Sequence, residues 1–183
     1  MKKLLLLAVC IFLLSGCYGA SYMLAPDRKP DLTPRKKMAT LVIIRDQHYG
    51  WPAVFLHYLD GKFIGDTKGK TYFVTPVEPG PHYVVVVTEN AAVAYLKFEP
   101  GKIYYIHECV IVGHWRARTC GFNPLTPEQA RESMKECTYW ERDPAKGGED
   151  MDPNSYQQVI ADYQAEVKQN PKGFKAMLEY KGY

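Results

Sequence analysis

Short apolar and β-branched runs alternate with turn residues along the middle of the chain. The runs lie at residues 39–44, 53–59, 62–65, 70–75, 83–87, 94–98 and 102–112. A hairpin turn signal at residues 113–116 adds an eighth strand. Turn signals recur at a spacing of roughly 8–12 residues, and no helical periodicity interrupts them. The pattern predicts a mainly β fold, built as a single antiparallel β-sandwich.

Asp60-Gly61 is the clearest turn in this region, because it separates two β-type runs by two residues. A type I′ turn needs positive φ at both central positions, and Asp-Gly is one of the pairs that favour it. The sequence therefore predicts a tight hairpin here. Other turns are marked by Gly69, Asn90 and the Pro-Gly sequences at 78–81 and 99–101.

A short helix is predicted after the strands. Thr126 suits the N-cap, Pro127 the first helical position, and Gln129 can reach back to complete a capping box. Ala130, Met134 and Cys137 follow at helical spacing on one face. We expect this helix to pack on the edge of the sandwich.

A second, amphipathic helix is predicted from Asp152-Pro153 to Asn170-Pro171. Its apolar stripe contains Tyr156, Val159, Ile160, Tyr163 and Val167. The stripe either covers an open face or edge of the sheets or docks on a partner protein. Residues 140–151, with one Pro and two Gly, are expected to form a loop, and residues 173–183 a frayed helical turn.

The N-terminus has the features of a secretory signal. Lys2 and Lys3 precede an apolar run at residues 4–14, which is too short to span a bilayer. Leu14-Ser15-Gly16-Cys17 resembles the lipobox of bacterial lipoproteins, in which cleavage precedes the cysteine, its thiol receives a diacylglycerol and its amine an acyl chain such as palmitate. The resemblance implies that Cys17 is lipidated and holds the protein to a membrane; alternatively, the signal is an ordinary cleaved one.

The residue after Cys17 is Tyr18 rather than Asp. In Gram-negative lipoproteins this pattern favours the outer membrane, so we expect an anchor there that faces the periplasm. Residues 18–37, with regularly spaced prolines, are expected to be an extended tether reaching up to roughly 60 Å. The predicted organisation is a signal peptide at 1–16, a lipidated linker at 17–38, the sandwich with its short helix at 39–138, and a loop and helical extension at 139–183.

Charge and cysteine content narrow the function classes. The formal net charge is only +3, and it falls when Lys2 and Lys3 leave with the signal, so nucleic acid is not an expected partner.

Three cysteines remain once Cys10 leaves with the signal and Cys17 carries lipid. Of these, Cys109 and Cys120 flank the hairpin turn, which would bring them opposite each other. We predict a Cys109–Cys120 disulfide, with Cys120–Cys137 as the alternative pairing.

Three segments carry a resemblance to a known group. They are residues 59–65 (Leu-Asp-Gly-Lys-Phe-Ile-Gly), 77–84 (Val-Glu-Pro-Gly-Pro-His-Tyr-Val) and 100–105 (Pro-Gly-Lys-Ile-Tyr-Tyr). Their order is similar to that of PEGA-type and prealbumin-like β-sandwich modules, including a domain of unknown function in bacterial lipoproteins. The resemblance covers about residues 39–135 and implies a non-enzymatic sandwich.

Metal and catalytic sites have little support in the sequence. His107, Cys109, His114 and Cys120 are close in sequence, but they lack the paired Cys-x-x-Cys spacing of zinc sites. No serine lies on a Gly-x-Ser-x-Gly turn, and there is no phosphate-binding glycine loop. We therefore expect no catalytic residues, no metal and no cofactor, although an envelope hydrolase is kept as an alternative class.

Aromatic residues in predicted loops are less well explained by folding. Trp51, Trp115 and Trp140 are the main ones, with Tyr49 and Tyr139 beside two of them. They either pin the loops to the domain or contact a glycan such as peptidoglycan, or a protein partner. The sequence thus predicts a lipid-anchored envelope lipoprotein that acts as a non-catalytic binding or structural accessory module.

Overall fold

Two β-sheets packed face to face form the fold, as seen in a computed structural model that describes residues 21–50, 52–114 and 117–183. The described strands are β1 (Met23–Leu24), β2 (Ala39–Arg45), β3 (Val54–Leu59), β4 (Lys62–Lys68), β5 (Thr71–Val77), β6 (Gly80–Val87), β7 (Ala91–Phe98), β8 (Ile103–Val112), β9 (Ala117–Pro124) and β10 (Thr138–Arg142). The described helices are α1 (Pro127–Lys135), α2 (Pro153–Gln169) and α3 (Pro171–Leu178). The predicted β-sandwich is confirmed.

One sheet has the strand order β1-β10-β5-β2-β8-β9 and the other β4-β3-β6-β7. Most neighbouring pairs are antiparallel, as predicted, but β2 is parallel to β8 and β5 is parallel to β10. Each parallel pair is joined by a long connection that passes through other elements, which allows the chain to return in the same direction. The β-sandwich is as predicted, and the expected antiparallel pairing is wrong for these two pairs only.

The central strand β2 is buried on both faces. Ala39, Leu41 and Ile43 point between the sheets and pack in the main core. Val42 and Ile44 point the other way, where Ala130 of α1 covers them. This is why β2 reads as a continuous apolar run rather than an alternating one.

The turn, the helix cap and the second helix that the sequence predicts are present in the structure. Asp60 and Gly61 have φ values of 50° and 82°, as a type I′ turn requires. Thr126 caps α1 through the predicted capping box with Gln129. Helix α2 begins after the N-cap Asp152 and ends at Gln169, with Asn170 as its C-cap.

The amphipathic stripe of α2 covers the outer face of the four-stranded sheet. Tyr156, Val159 and Ile160 pack there against Tyr58 and Val85. Of the two alternatives for this stripe, coverage of the domain's own sheet is therefore the one observed.

The end of the chain is more ordered than the predicted frayed turn. Helix α3 buries Met177, and the Tyr180 hydroxyl donates to the Leu125 carbonyl at 3.2 Å. The same hydroxyl accepts from the Tyr105 amide at 2.9 Å, and Tyr183 pairs with Ile103 through backbone hydrogen bonds. The prediction failed because these contacts join segments far apart in sequence.

The predicted loop at 140–151 begins with a strand instead. Strand β10 pairs with β5 on one side and with β1 on the other. Thr138, Tyr139 and Trp140 are strand-forming residue types, so the local signal was present but the run was too short to be recognised.

The predicted tether is also wrong for part of its length. Met23 lies in β1 and is buried, and Leu32 packs against the cluster beneath α1. Arg28 forms an ion pair with Glu141. The folded domain therefore includes residues that precede Ala39 by many positions.

Candidate functional site

A cleft of about 490 Å³ lies where the edges of the two sheets meet. Strand β7 ends the four-stranded sheet and β9 ends the six-stranded one, on the same side of the sandwich. Residues 90–93 and 119–123 line the cleft from these two strands. Side chains of α2 and α3 complete the wall. The cleft is thus bordered by two strand edges that do not pair with each other.

Asn90 bridges the two strand edges at one end of the cleft. Its Nδ2 donates to the Thr119 carbonyl at 2.9 Å, and its Oδ1 accepts from the Thr119 amide at 3.0 Å. Thr88 Oγ1 donates to the Ala117 carbonyl at 2.9 Å nearby. No strand pairs with β9 on this side in the described part of the chain. The side chains of Asn90 and Thr88 therefore form the hydrogen bonds that backbone groups of Thr119 and Ala117 would otherwise form with a neighbouring strand.

The predicted disulfide joins Cys109 of β8 to Cys120 of β9, with 5.2 Å between their Cα atoms. It sits where the pairing of the two strands shifts by one residue. Cys120 lines the cleft, so the disulfide fixes one of its walls. The alternative pairing with Cys137 is wrong.

Two acidic residues of α2 give the cleft its charge. Asp162 and Glu166 are one helical turn apart and both line the cleft, whereas no lysine or arginine is among the described lining residues. Asp162 accepts a hydrogen bond from Gln158 at 2.8 Å. Within the described chain, no ion pair involves either carboxylate. The cleft therefore favours a positively charged group.

A smaller aromatic pocket of about 230 Å³ lies on the other side of Tyr163. Tyr83 and Tyr95 line it together with Val167 and Leu178. The Tyr83 hydroxyl accepts from Gln164 Nε2 at 3.0 Å. Burial raises the pKa of Tyr163, so its phenol stays neutral near pH 7. This pocket is apolar and adjoins the acidic cleft through Tyr163.

His107, a candidate zinc ligand, pairs with a carboxylate instead. Its Nε2 lies 2.8 Å from Asp46 Oδ1. Burial opposes ionisation of Asp46, but hydrogen bonds from Ser133 and His107 outweigh burial and lower the pKa of this carboxyl. Both candidate thiol ligands are held in the disulfide. Across the described ranges, no three metal-binding side chains come together.

Cys137 is the remaining free thiol of the described residues. Burial raises its pKa to about 12, and nearby Asp46 adds to the shift. Its Sγ donates a weak hydrogen bond to the Arg45 carbonyl at 3.5 Å. A thiol that stays protonated is a poor nucleophile and a poor metal ligand.

Of the other predicted site residues, the structure describes Trp140. Cys17, Trp51 and Trp115 lie outside the described residues. Trp140 is half-buried in β10 and packs against the main core, so its observed role is to hold β10 to the domain. The proposed glycan contact through the three tryptophans stays a prediction.

Sequence reasoning missed a group of polar residues buried between the sheets. Glu108 Oε2 accepts from Thr67 Oγ1 at 2.6 Å and lies 3.3 Å from His57 Nε2. Arg45 donates to the carbonyls of Gly50 and Ala53 at 2.7 and 2.9 Å. Arg45 thereby fixes the loop between β2 and β3. Arg45 is the last residue of β2 and follows the alternation of the inward-facing residues Ala39, Leu41 and Ile43. That alternation was the feature of the sequence that could have indicated its burial.

The cleft was also not predicted from the sequence, because it depends on which strands end the two sheets.

None of the helices in the described ranges combines the length and apolar character needed to cross a bilayer. Comparisons with protein families, with curated proteins and with solved structures give no match to this chain. The resemblance to PEGA-type modules stays a prediction, and function has to be argued from the geometry of the cleft.

Proposed function

We propose that the protein is a lipid-anchored, non-catalytic binding module of the cell envelope, with the cleft between β7 and β9 as its ligand site. The observation that carries the proposal is an open cleft lined by the carboxylates of Asp162 and Glu166, neither of which forms an ion pair with another described residue. Its volume of about 490 Å³ falls within the usual range of ligand pockets. The ligand is expected to present a positive charge.

The strand edges indicate the shape of the ligand. An extended peptide can add to an exposed strand edge through backbone hydrogen bonds, while alternate side chains enter neighbouring pockets. Here residues 120–123 of β9, beyond the Thr119 backbone that Asn90 binds, supply the edge. The carboxylates of α2 lie across the cleft from it. We therefore propose an extended protein segment that carries lysine or arginine as the ligand.

A non-catalytic role is supported by what happens to the candidate reactive groups. Cys109 and Cys120 are oxidised to a disulfide, and the Cys137 thiol is protonated. His107 is engaged by Asp46. The envelope hydrolase of the sequence analysis would need a base and nucleophile pair, and these residues supply none.

The anchor is proposed from the signal at the N-terminus. The lipobox-like Leu14-Ser15-Gly16-Cys17 would place a lipid on Cys17 after cleavage. Two or three acyl chains hold a protein on a membrane far more firmly than one. With Tyr18 after the cysteine, the proposed location is the outer membrane, facing the periplasm.

Calorimetric titration of the lipidated full-length mature protein in nanodiscs tests the ligand site. Trilysine is expected to bind, with an affinity that falls as salt rises, whereas triglutamate is expected not to bind. The double substitution Asp162→Asn with Glu166→Gln should abolish binding. The matched control is Glu132→Gln on α1, an exposed carboxylate outside the cleft. Equal trilysine binding by all three proteins would refute the proposed site.

A further inference from the structure

The chain becomes part of the fold only a few residues after the proposed lipid site. Ser21 Oγ donates to Asp66 Oδ1 at 2.8 Å, and the Tyr22 amide donates to Asp66 Oδ2 at 2.7 Å. Met23 is buried and pairs with Arg142 of β10. From Ser21 onward, the chain is therefore held by the domain.

Only Tyr18, Gly19 and Ala20 separate Cys17 from Ser21. Even a fully extended chain spans at most about 14 Å over these four residue steps. If Cys17 carries lipid, its backbone lies at the membrane surface. Ser21 must then lie within about 14 Å of that surface, rather than at the end of the roughly 60 Å tether predicted from the prolines.

The residues around Ser21 define what we call the anchored edge: strands β1 and β10 with residues 143–150. Lys146 Nζ donates to the Ser21 carbonyl at 3.2 Å, and the Asp143 amide donates to the Tyr22 carbonyl at 3.0 Å. Lys146 also pairs with Asp143 at 3.6 Å. The anchored edge holds four acidic side chains and two basic ones. Arg28 pairs with Glu141 and Lys62 pairs with Asp150 from neighbouring segments. With these two cations the charges balance, so the surface presents no strong repulsion to anionic lipid headgroups.

The anchored edge and the cleft lie on opposite sides of the sandwich. Strand β1 begins the six-stranded sheet and β9 ends it; β4, which holds Asp66, begins the four-stranded sheet and β7 ends it. Neighbouring strands are about 4.8 Å apart, so β1 and β9 are separated by about 24 Å. That separation exceeds the reach of the three intervening residues.

We infer that the anchored edge rests on the bilayer surface and that the cleft on the opposite edge faces away from it. This inference depends on the lipid anchor of the proposed function. The partner of the anchored edge is a phospholipid bilayer, held against it by the short connection to Cys17. The orientation would present the acidic cleft to ligands in the periplasm instead of to lipid.

Fluorescence quenching on vesicles tests this orientation. Two single substitutions introduce labelling sites: Gly147→Cys on the anchored edge, where an added side chain meets no neighbour within 4 Å, and Lys172→Cys at the exposed start of α3. Cys137 is only half-buried, so both labelled proteins also carry Cys137→Ser to prevent background labelling. Each labelled, lipidated protein is placed on phosphatidylethanolamine–phosphatidylglycerol vesicles that carry a quencher on the headgroup.

The label at position 147 is expected to lose most of its fluorescence, and the label at 172 to lose little. Inserting about 20 Gly and Ser residues between Ala20 and Ser21 gives a flexible connection of roughly 25 Å and should remove the difference. Equal quenching of both labels without the insertion would overturn the inference.

Intact mass measured on the same samples separates the two ways of failing. A lipidated Cys17 with equal quenching refutes the orientation alone. A protein without lipid on Cys17 refutes the proposed anchor, and with it the orientation. A retained far-UV spectrum for each variant shows that the substitutions leave the fold intact.

Discussion

Four polar side chains, Arg45, His57, Thr67 and Glu108, are fully buried between the two sheets. Buried charges are costly unless they are paired and hydrogen-bonded. Burial lowers the pKa of Arg45, and the charge of Glu108 partly offsets the effect. Each member of the group therefore depends on the others, and the stability of this part of the core is sensitive to single substitutions.

Arg45→Met is expected to lower the free energy of unfolding by about 3–5 kcal/mol, because it removes the buried positive charge that interacts electrostatically with the Glu108 carboxylate. The substitution also removes the hydrogen bonds to the Gly50 and Ala53 carbonyls. Equilibrium urea denaturation measures the change. Lys97→Met, on the exposed side of β7, is the control. A similar small change in both variants would mean that the buried group contributes little.

The contribution of Asp46 to the free energy of unfolding should depend on pH, and the direction of its pKa shift fixes the sign of that dependence. Its pKa is lower in the folded protein than the usual value of about 3.9 for an unfolded Asp. Its contribution to stability is therefore fully present above that unfolded value and is lost as pH falls through the lower folded value. The stability difference between wild type and Asp46→Asn should shrink as pH falls below about 4. Urea titrations at several pH values measure it; a difference that grows on acidification would contradict the assignment.

At the scale of elements, the β8–β9 hairpin carries the covalent link that shapes the cleft. The Cys109–Cys120 disulfide closes a segment with a sequence separation of 11. On the chain-entropy account, a loop of this size contributes about 3 kcal/mol. The hairpin should therefore be the element whose stability depends most on an oxidising environment.

Substituting both Cys109 and Cys120 by Ser should lower the free energy of unfolding by about 2–4 kcal/mol. It should also weaken trilysine binding, since Cys120 lines the cleft. Cys137→Ser, which touches no disulfide, controls for the loss of a thiol. Unchanged binding in the double variant would show that the cleft wall keeps its shape without the bond.

Whether an element could be predicted depended on how far apart in sequence its determining residues lie. The Asp60-Gly61 turn, the Thr126 cap and the stripe of α2 all depend on residues close in sequence, and each was predictable. Strands β1 and β10 were missed because they are short and pair only with each other and with β5. The cleft was missed for the same reason, since the meeting of β7 with β9 is a property of sheet order.

At the scale of the whole molecule, the N-terminal segment and the cleft occupy opposite edges of one sandwich. Asp66 fixes the first edge by binding the backbone of Tyr22 and the side chain of Ser21. The disulfide and the bridge made by Asn90 fix the second. The two sheets connect these edges rigidly, so an anchor at one edge determines where the other points.

The most direct test of the account is hydrogen–deuterium exchange on the lipidated protein in nanodiscs, with and without trilysine. A segment that adds to the edge of β9 should protect backbone amides in residues 120–123, beyond Thr119, whose amide already donates to Asn90. We predict slower exchange there, with no such change in the Asp162→Asn, Glu166→Gln double variant. Unaltered exchange along β9, or protection confined to another part of the protein, would contradict the proposal that this cleft is the binding site.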